Sequence, residues 1–112
     1  MRLIRKTISS GLSRDILYYL LKKGKAPKEI AAMAKTTLAK IRKITEGISS
    51  FTYEQVMKME DAAGESLTLA IMEENPPLPN APQKVKDFYE KAKEVLRLGY
   101  ELRKILRKKT SS

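Results

Sequence analysis

The side chains best placed to do chemistry lie in the segment EIAAMAKTTLAKIRKITEG, which runs from Glu29 to Gly47. Its apolar residues are spaced as two short helices joined by a three-residue turn. If Ile41 and Ile44 face inward, the outward face of the second helix carries basic residues. Ammonium and guanidinium groups bind phosphate, and arginine also donates two hydrogen bonds to one guanine. The segment therefore predicts a surface helix that can enter a DNA groove. Its outward residues are Ala39, Arg42, Lys43 and Glu46, with Leu38 on the flank.

The sequence lacks the residue types on which most catalysis and metal binding depend. It contains no histidine and no cysteine, so the commonest general base, the commonest metal ligand and any thiolate site are absent. The carboxylates of Glu60 and Asp61, and of Glu73 and Glu74, are adjacent in sequence and point in different directions on a helix. The sequence also has no glycine-rich phosphate loop. We expect no enzymatic activity, no catalytic or metal-binding residue and no cofactor.

The net charge of +10 is unevenly distributed along the 112 residues. Residues 1–50 carry twelve Lys or Arg against three acids, residues 51–82 carry one against six, and residues 83–112 carry ten against four. A basic surface attracts polyanions through counterion release, and nucleic acid is the commonest such partner. A basic protein without a polyanionic partner would show the same excess. No apolar stretch is long enough to cross a membrane and the start lacks a signal-peptide core, so we expect a cytoplasmic protein without a membrane partner.

Capping and stop signals divide the sequence into short helices. Ser13 is predicted to cap the first helix and Gly24 to end it. Thr52 and Gln55 form a capping box at the start of the fourth helix. The buried stripe of the first helix is predicted to be Ile16, Leu17, Leu20 and Leu21. The predicted organisation is a basic N-terminal arm over residues 1–12, a five-helix unit over 13–74, a proline-rich linker over 75–82, a long amphipathic helix over 83–109 and a tail over 110–112.

The linker and the long helix carry signals of their own. The linker, NPPLPNAP, holds four of the five prolines and is predicted to be semi-rigid and extended. The helix repeats apolar residues at alternating steps of three and four, a heptad pattern typical of a coiled coil. Gly99 costs roughly 1 kcal/mol of helix propensity, which suggests a packing role. Homodimerisation and packing within the chain would both use this face. We call its residues the seam: Val85, Phe88, Ala92, Val95, Gly99, Leu102 and Leu106.

Two helices joined by a tight turn need small and apolar residues at fixed positions. The segment supplies them as Ala31, Ala34, Thr36, Ile41 and Ile44. With these residues the chain resembles the Cro and phage-repressor class of helix-turn-helix proteins, often called the Xre family, over about residues 13–69. The family pattern is roughly E-[IL]-A-x-x-A-G-[VIT]-[ST]-x-x-x-I-x-x-[IL]-x-x-G. The matching residues are Glu29, Ile30, Ala31, Ala34, Thr36, Thr37, Ile41, Ile44 and Gly47. Lys35 departs from the pattern, because it stands where the family has a glycine, and left-handed geometry there costs on the order of 1 kcal/mol.

The resemblance implies an all-α, five-helix Cro/repressor-like domain, which here precedes the linker and the long helix. It places DNA contacts at the start of the helix after the turn and one turn later. Arg42 is then expected to bind guanine, and Lys43 to bind phosphate. The implied contact residues are Thr37, Leu38, Ala39, Arg42 and Lys43.

Each remaining contact has an expected role. Leu38 and Ala39 would meet a thymine methyl, and Thr37 would bind phosphate. Lys28 is expected to touch the DNA backbone, where the positive end of its helix adds to its charge. Lys35 could reach a phosphate, which we hold as a hypothesis. A minor-groove arm would use Arg2, Arg5 and Lys6, and Lys40 lies to the side of the contact face.

The sequence thus predicts a sequence-specific double-stranded DNA-binding protein, a small dimeric repressor or autoregulator. The helix from Thr37 to Glu46 would enter the major groove of an inverted repeat, and residues 83–109 would hold the homodimer. The alternative is a DNA-binding antitoxin or adaptor whose C-terminal helix binds a protein partner. Attachment of that helix to an anionic membrane is less favoured because it has no tryptophan, and RNA binding because the contact face lacks aromatic residues.

Overall fold

The structure is a computed structural model that describes residues 6–110, with side chains described as far as Leu106. The described chain is helical apart from turns and one isolated β-bridge, which confirms the all-α class. It divides into two compact units between Leu67 and Thr68. The helices are α1 (Ser10–Lys22), α2 (Pro27–Ala34), α3 (Leu38–Thr45), α4 (Tyr53–Ala63), α5 (Leu67–Glu74) and α6 (Gln83–Thr110).

Helix α1 begins earlier than predicted, and the prediction that Ser13 caps it is wrong. Ser9 is the cap, since its hydroxyl accepts a hydrogen bond from the Leu12 N–H at 3.1 Å. Ser13 is fully buried inside the helix. Its hydroxyl donates to the Ser9 carbonyl at 2.9 Å and accepts from the Phe51 N–H at 2.9 Å. Serine is a common capping residue at either position, so the sequence alone does not show that Ser9 is the cap and that Ser13 binds Phe51.

The segment before α1 is paired with the segment before α4. The Ile8 N–H donates to the Phe51 carbonyl at 3.0 Å, and the Tyr53 N–H donates to the Lys6 carbonyl at 3.1 Å. Ile8 is buried. Residues 6–12, predicted as part of a basic arm, are therefore backbone-paired or helical. Arg2 and Arg5, predicted for the same arm, lie outside the described residues.

The predicted helix starts and stops are confirmed where their signals are local. Gly24 and Gly64 adopt left-handed geometry, with φ of 95° and 74°. Gly64 directly follows α4, and Gly24 follows α1 after one further residue, Lys23. At the start of α4, the Thr52 hydroxyl accepts from the Gln55 N–H at 3.0 Å, and the Gln55 side chain accepts from the Thr52 N–H at 2.9 Å. This is the predicted capping box.

The core of the first unit is built from α1 to α4 and the start of α5. Leu21 was predicted to be buried, which is wrong, because it is 36% exposed. Tyr19 is buried instead, and its hydroxyl donates to the Glu65 carboxylate at 2.9 Å. Burial and this hydrogen bond raise the pKa of Tyr19 above its usual 10.0. The largest fully buried apolar side chains are Phe51, Ile16, Leu17, Leu20, Ile30, Ile44, Met59 and Leu67.

The buried carboxylate of Glu60 binds the backbone at the start of α5. Glu60 on α4 is only 5% exposed, and its carboxylate accepts a hydrogen bond from the Leu67 N–H at 2.9 Å. The first N–H groups of a helix have no partner within the helix, and a negative charge there is favoured by the helix dipole. Glu60 therefore fixes the position at which α5 begins.

In the second unit, the proline-rich segment is non-helical as predicted but is not extended throughout. The Ala81 N–H donates to the Leu78 carbonyl at 2.9 Å, which closes a turn. The Lys86 ammonium donates to the Pro79 carbonyl at 2.6 Å. The Tyr89 hydroxyl donates to the Met72 carbonyl on α5. These bonds hold the start of α6 against the segment that precedes it.

Helix α6 has 28 residues, which corresponds to a length of about 42 Å. One face carries ion pairs: the Arg97 guanidinium lies 2.6 Å from the Glu94 carboxylate and 3.4 Å from that of Glu101. The large apolar residues of the seam are exposed, with Phe88 at 73% and Val95 at 68%. The amphipathic helix predicted over residues 83–109 is therefore present, and its apolar stripe faces outward.

Candidate nucleic-acid interface

Helices α2 and α3 are joined by residues 35–37, which form the predicted tight turn. Lys35 has φ 56° and ψ 51°, the left-handed geometry that the sequence predicts at this position. The Lys35 N–H donates to the Ala32 carbonyl at 3.2 Å, and the Thr36 N–H donates to the Ala31 carbonyl at 2.9 Å. This pair of bonds is the Schellman arrangement, which usually contains glycine. The turn therefore forms with lysine at a strained backbone position.

The start of α3 is fixed by Thr37, whose hydroxyl oxygen accepts a hydrogen bond from the Lys40 N–H at 3.2 Å. The Thr37 O–H remains a possible donor to phosphate, since only its oxygen is used in the cap. Ile41 and Ile44 are buried on the inner face of α3, as predicted. The helix is therefore anchored along one side, and its opposite side faces solvent.

All seven of the predicted contact residues are exposed. Leu38 is 39% exposed. Ala39, Arg42 and Lys43 lie on the outward face of α3, whereas Lys40 is half-buried. Lys28 lies in the first turn of α2, and Lys35 follows its last residue. The outward face predicted for α3 is thus accessible to a partner.

The cations of this surface are not neutralised by acidic side chains. Within residues 6–110, Lys28, Lys35, Arg42 and Lys43 make no ion pair with a carboxylate. By contrast, Lys58 on α4 lies 3.1 Å from Glu54. The phosphates of DNA carry condensed cations, and exposed lysine and arginine side chains release these ions when they bind in their place. The charge of this surface is therefore available to a polyanion.

Three of the predicted contact residues surround one apolar groove of about 350 Å³. Lys28 and Arg42 contribute its charges, and Leu38 forms part of its wall. Leu21 and Thr45 also line it, although the sequence did not identify either as a surface residue of this site. Leu17 also lines the groove, and Leu21 follows it by one helical turn. Because that spacing predicts burial, it gave no signal for the exposure of Leu21. The groove brings the start of α2 and the outward side of α3 into one surface.

The described residues give few alternatives to a surface of this kind. Residues 6–110 contain no cluster of acidic side chains suited to a metal ion. No helix in that range is both long enough and apolar enough to cross a membrane.

Comparisons of the chain with protein-family models, curated proteins and solved structures found no match.

Proposed function

We propose that this protein binds double-stranded DNA sequence-specifically and inserts α3 into the major groove. The observation that carries the proposal is the two-sided character of α3. Ile41 and Ile44 are buried on one side, while Arg42 and Lys43 are exposed on the other, with no carboxylate partner among residues 6–110. A helix fixed to its domain along one face and basic along the other meets the steric and electrostatic needs of groove binding.

The residues of this surface would divide into those that select sequence and those that hold phosphate. Arg42 would donate two hydrogen bonds to guanine, and Leu38 with Ala39 would contact a thymine methyl. Lys43, Lys28 and Thr37 would bind backbone phosphates, which fix the register of the protein on the duplex. Lys35 at the end of α2 would add a further phosphate contact.

The proposed biological role is that of a small dimeric transcriptional repressor or autoregulator. Two copies related by a two-fold axis would read the halves of an inverted repeat, with their α3 helices about 34 Å apart. A homodimer held by α6 would supply that symmetry. The exposed seam of α6 also favours a second candidate, an antitoxin or adaptor that binds DNA with its first unit and another protein with α6.

Selection of duplexes from a random pool, followed by titration of the selected site across a salt series, tests the proposal. We expect Arg42→Ala to lose about 1–3 kcal/mol of binding free energy and to relax preference at one base pair. Lys43→Ala should weaken binding to all sequences and lower the salt slope by about one. Lys58→Ala on α4 is the matched control, because it removes the same charge and should change neither quantity. Equal affinity for every duplex would refute sequence-specific recognition.

A further inference from the structure

The seam of α6 combines large exposed residues with small ones in a regular order. Phe88, Val95 and Leu102 are exposed at 73%, 68% and 57%. They alternate along the helix with Ala92 and Gly99. In heptad terms Phe88, Val95 and Leu102 occupy one of the two core positions. The other holds Val85, Ala92, Gly99 and Leu106, so its two small residues lie in the middle of the seam. The apolar face of α6 is therefore uneven: the large side chains form projections, and Ala92 and Gly99 form notches between them.

Gly99 is not required by any close contact with residues 6–110. A Cβ atom built at this position meets no heavy atom within 4 Å, and the residue lies in the middle of α6. Glycine in a helix interior is disfavoured relative to alanine, so its presence calls for a packing reason. Because nothing described in this chain approaches the position, the reason lies in a surface that approaches from outside.

We propose that α6 pairs with α6 of a second copy in an antiparallel orientation, with Phe88 seated over Gly99 of the partner subunit. The pairing deepens the homodimer of the proposed function and rests on it for its role on DNA. In this register Val85 lies opposite Leu102 of the partner subunit, and Ala92 lies opposite Val95 of the partner subunit. Each projection then meets a smaller residue, and the two-fold axis passes between Ala92 and Val95.

Shape distinguishes this orientation from the parallel one. In a parallel pair each core residue meets its own copy, so Phe88 would be pressed against the partner's Phe88 and Gly99 would face the partner's Gly99. The first layer would be overpacked, and the second would leave a void. Both defects destabilise a close-packed core. The antiparallel register removes both defects, because Phe88 of one subunit fills the space beside Gly99 of the partner subunit.

The charge of α6 favours the same orientation. The end of the helix carries five basic residues and only one acid, Glu101. The basic residues are Arg103, Lys104, Arg107, Lys108 and Lys109. A parallel pair would bring two such ends together, whereas an antiparallel pair separates them by most of the helix length. Like charges far beyond the Debye length are screened at physiological salt.

Two substitutions in the full-length chain test the shape argument, with sedimentation velocity as the measure of dimerisation. Gly99→Leu should leave helix content unchanged or higher, because its side chain enters open space in the monomer. It should weaken the dimer by at least about tenfold, since it collides with Phe88 of the partner subunit. Adding Phe88→Ala to Gly99→Leu places the new large side chain at position 99 opposite a small one at position 88 of the partner subunit. The double variant should therefore dimerise again. A dimer that tolerates Gly99→Leu, or a double variant that is weaker still, would refute the register.

Spin labels test the orientation, and the absence of native cysteine makes single labelling sites simple to introduce. Labels at Lys104→Cys should lie about 30 Å apart along the helix axis in the antiparallel pair, from a rise of about 1.5 Å per residue. Labels at Glu94→Cys, level with the two-fold axis, should be separated only by the width of the helix pair. Separations set by that width at both positions would show a parallel pair. A chain that stays monomeric at high concentration would refute self-pairing and favour another protein as the partner.

These measurements need no DNA, so the two proposals can fail separately. An antiparallel dimer that binds all duplexes equally would refute only the DNA-reading role. Selective binding of a single half-site by a monomer would refute only the pairing.

Discussion

The hydroxyl oxygen of Ser13 accepts a hydrogen bond from the backbone N–H of Phe51 at 2.9 Å, and both residues are fully buried. The same hydroxyl donates to the carbonyl of Ser9. One small side chain thus joins α1 to the segment that leads into α4. An unpaired N–H in this position would have no access to water, which makes the contact important for stability.

Replacing Ser13 with alanine should destabilise the first unit. The Phe51 N–H would lose its acceptor, and the expected loss in the free energy of unfolding is about 1–3 kcal/mol. Urea denaturation followed by circular dichroism measures the difference. Ser10→Ala is the matched control, since Ser10 is exposed in the same helix and should change stability by less than about 0.5 kcal/mol. Equal effects of the two substitutions would contradict a special role for Ser13.

Glycine at position 35 should stabilise the protein. Lys35 has φ 56°, which side chains with a Cβ atom adopt at a cost. We expect Lys35→Gly to raise the free energy of unfolding by about 0.5–1 kcal/mol relative to Lys35→Ala, which removes the same charge but keeps the strain. Thermal unfolding of the two variants gives the comparison. If the alanine variant were the more stable of the two, the turn would not be left-handed in solution.

Loss of the Glu60 carboxylate should loosen the start of α5. Glu60→Ala leaves the Leu67 N–H without its acceptor at 2.9 Å and should cost about 1–3 kcal/mol. Glu60→Gln keeps an oxygen in place and should cost less. Amide hydrogen exchange at Leu67 provides the local readout, with faster exchange expected in the alanine variant. Unchanged exchange there would show that the N–H is protected by another group.

Tyr19 should ionise only at a pH above the usual pKa of a tyrosine side chain. Burial, followed by the hydrogen bond to Glu65, raises its pKa above 10.0. Its contribution to stability is then fully present below pH 10 and is lost as the pH rises through the folded-state pKa, because the unfolded chain releases the proton first. Phenolate absorbance measures the titration. Tyr19→Phe should remove this raised titration step, whereas Tyr18→Phe, which removes the hydroxyl of an exposed side chain, should leave it in place.

The features that sequence predicted well are those set by residues three to five positions apart. The capping box of Thr52 and Gln55, the left-handed stop at Gly24 and the strained turn at Lys35 are all of this kind. The inward position of Ile41 and Ile44 follows from the helical period. Of these residues, Lys35 forms the turn between α2 and α3, and Ile41 with Ile44 determines which face of α3 is accessible.

The features that sequence missed depend on contacts between distant parts of the chain. From sequence, Ser13 is a plausible helix cap, and only its hydrogen bond with the Phe51 N–H shows that it is buried. Glu60 likewise has the sequence features of a surface acid, and its hydrogen bond with the Leu67 N–H shows its role. The exchange of Leu21 for Tyr19 in the core depends likewise on Glu65, which accepts from the tyrosine hydroxyl. Periodicity within one helix cannot indicate which neighbouring element supplies a partner.

The backbone pairing of Lys6 and Ile8 with Tyr53 and Phe51 has a kinetic consequence. Helices α1, α2 and α3 all lie in the loop that this pairing closes. The entropy of closing that loop must be overcome before the pairing contributes any stability, so it should follow the formation of the helices it encloses. The amide of Ile8 is consequently a reporter of the completed first unit, and its protection during refolding should appear after that of the amides within α1 to α3.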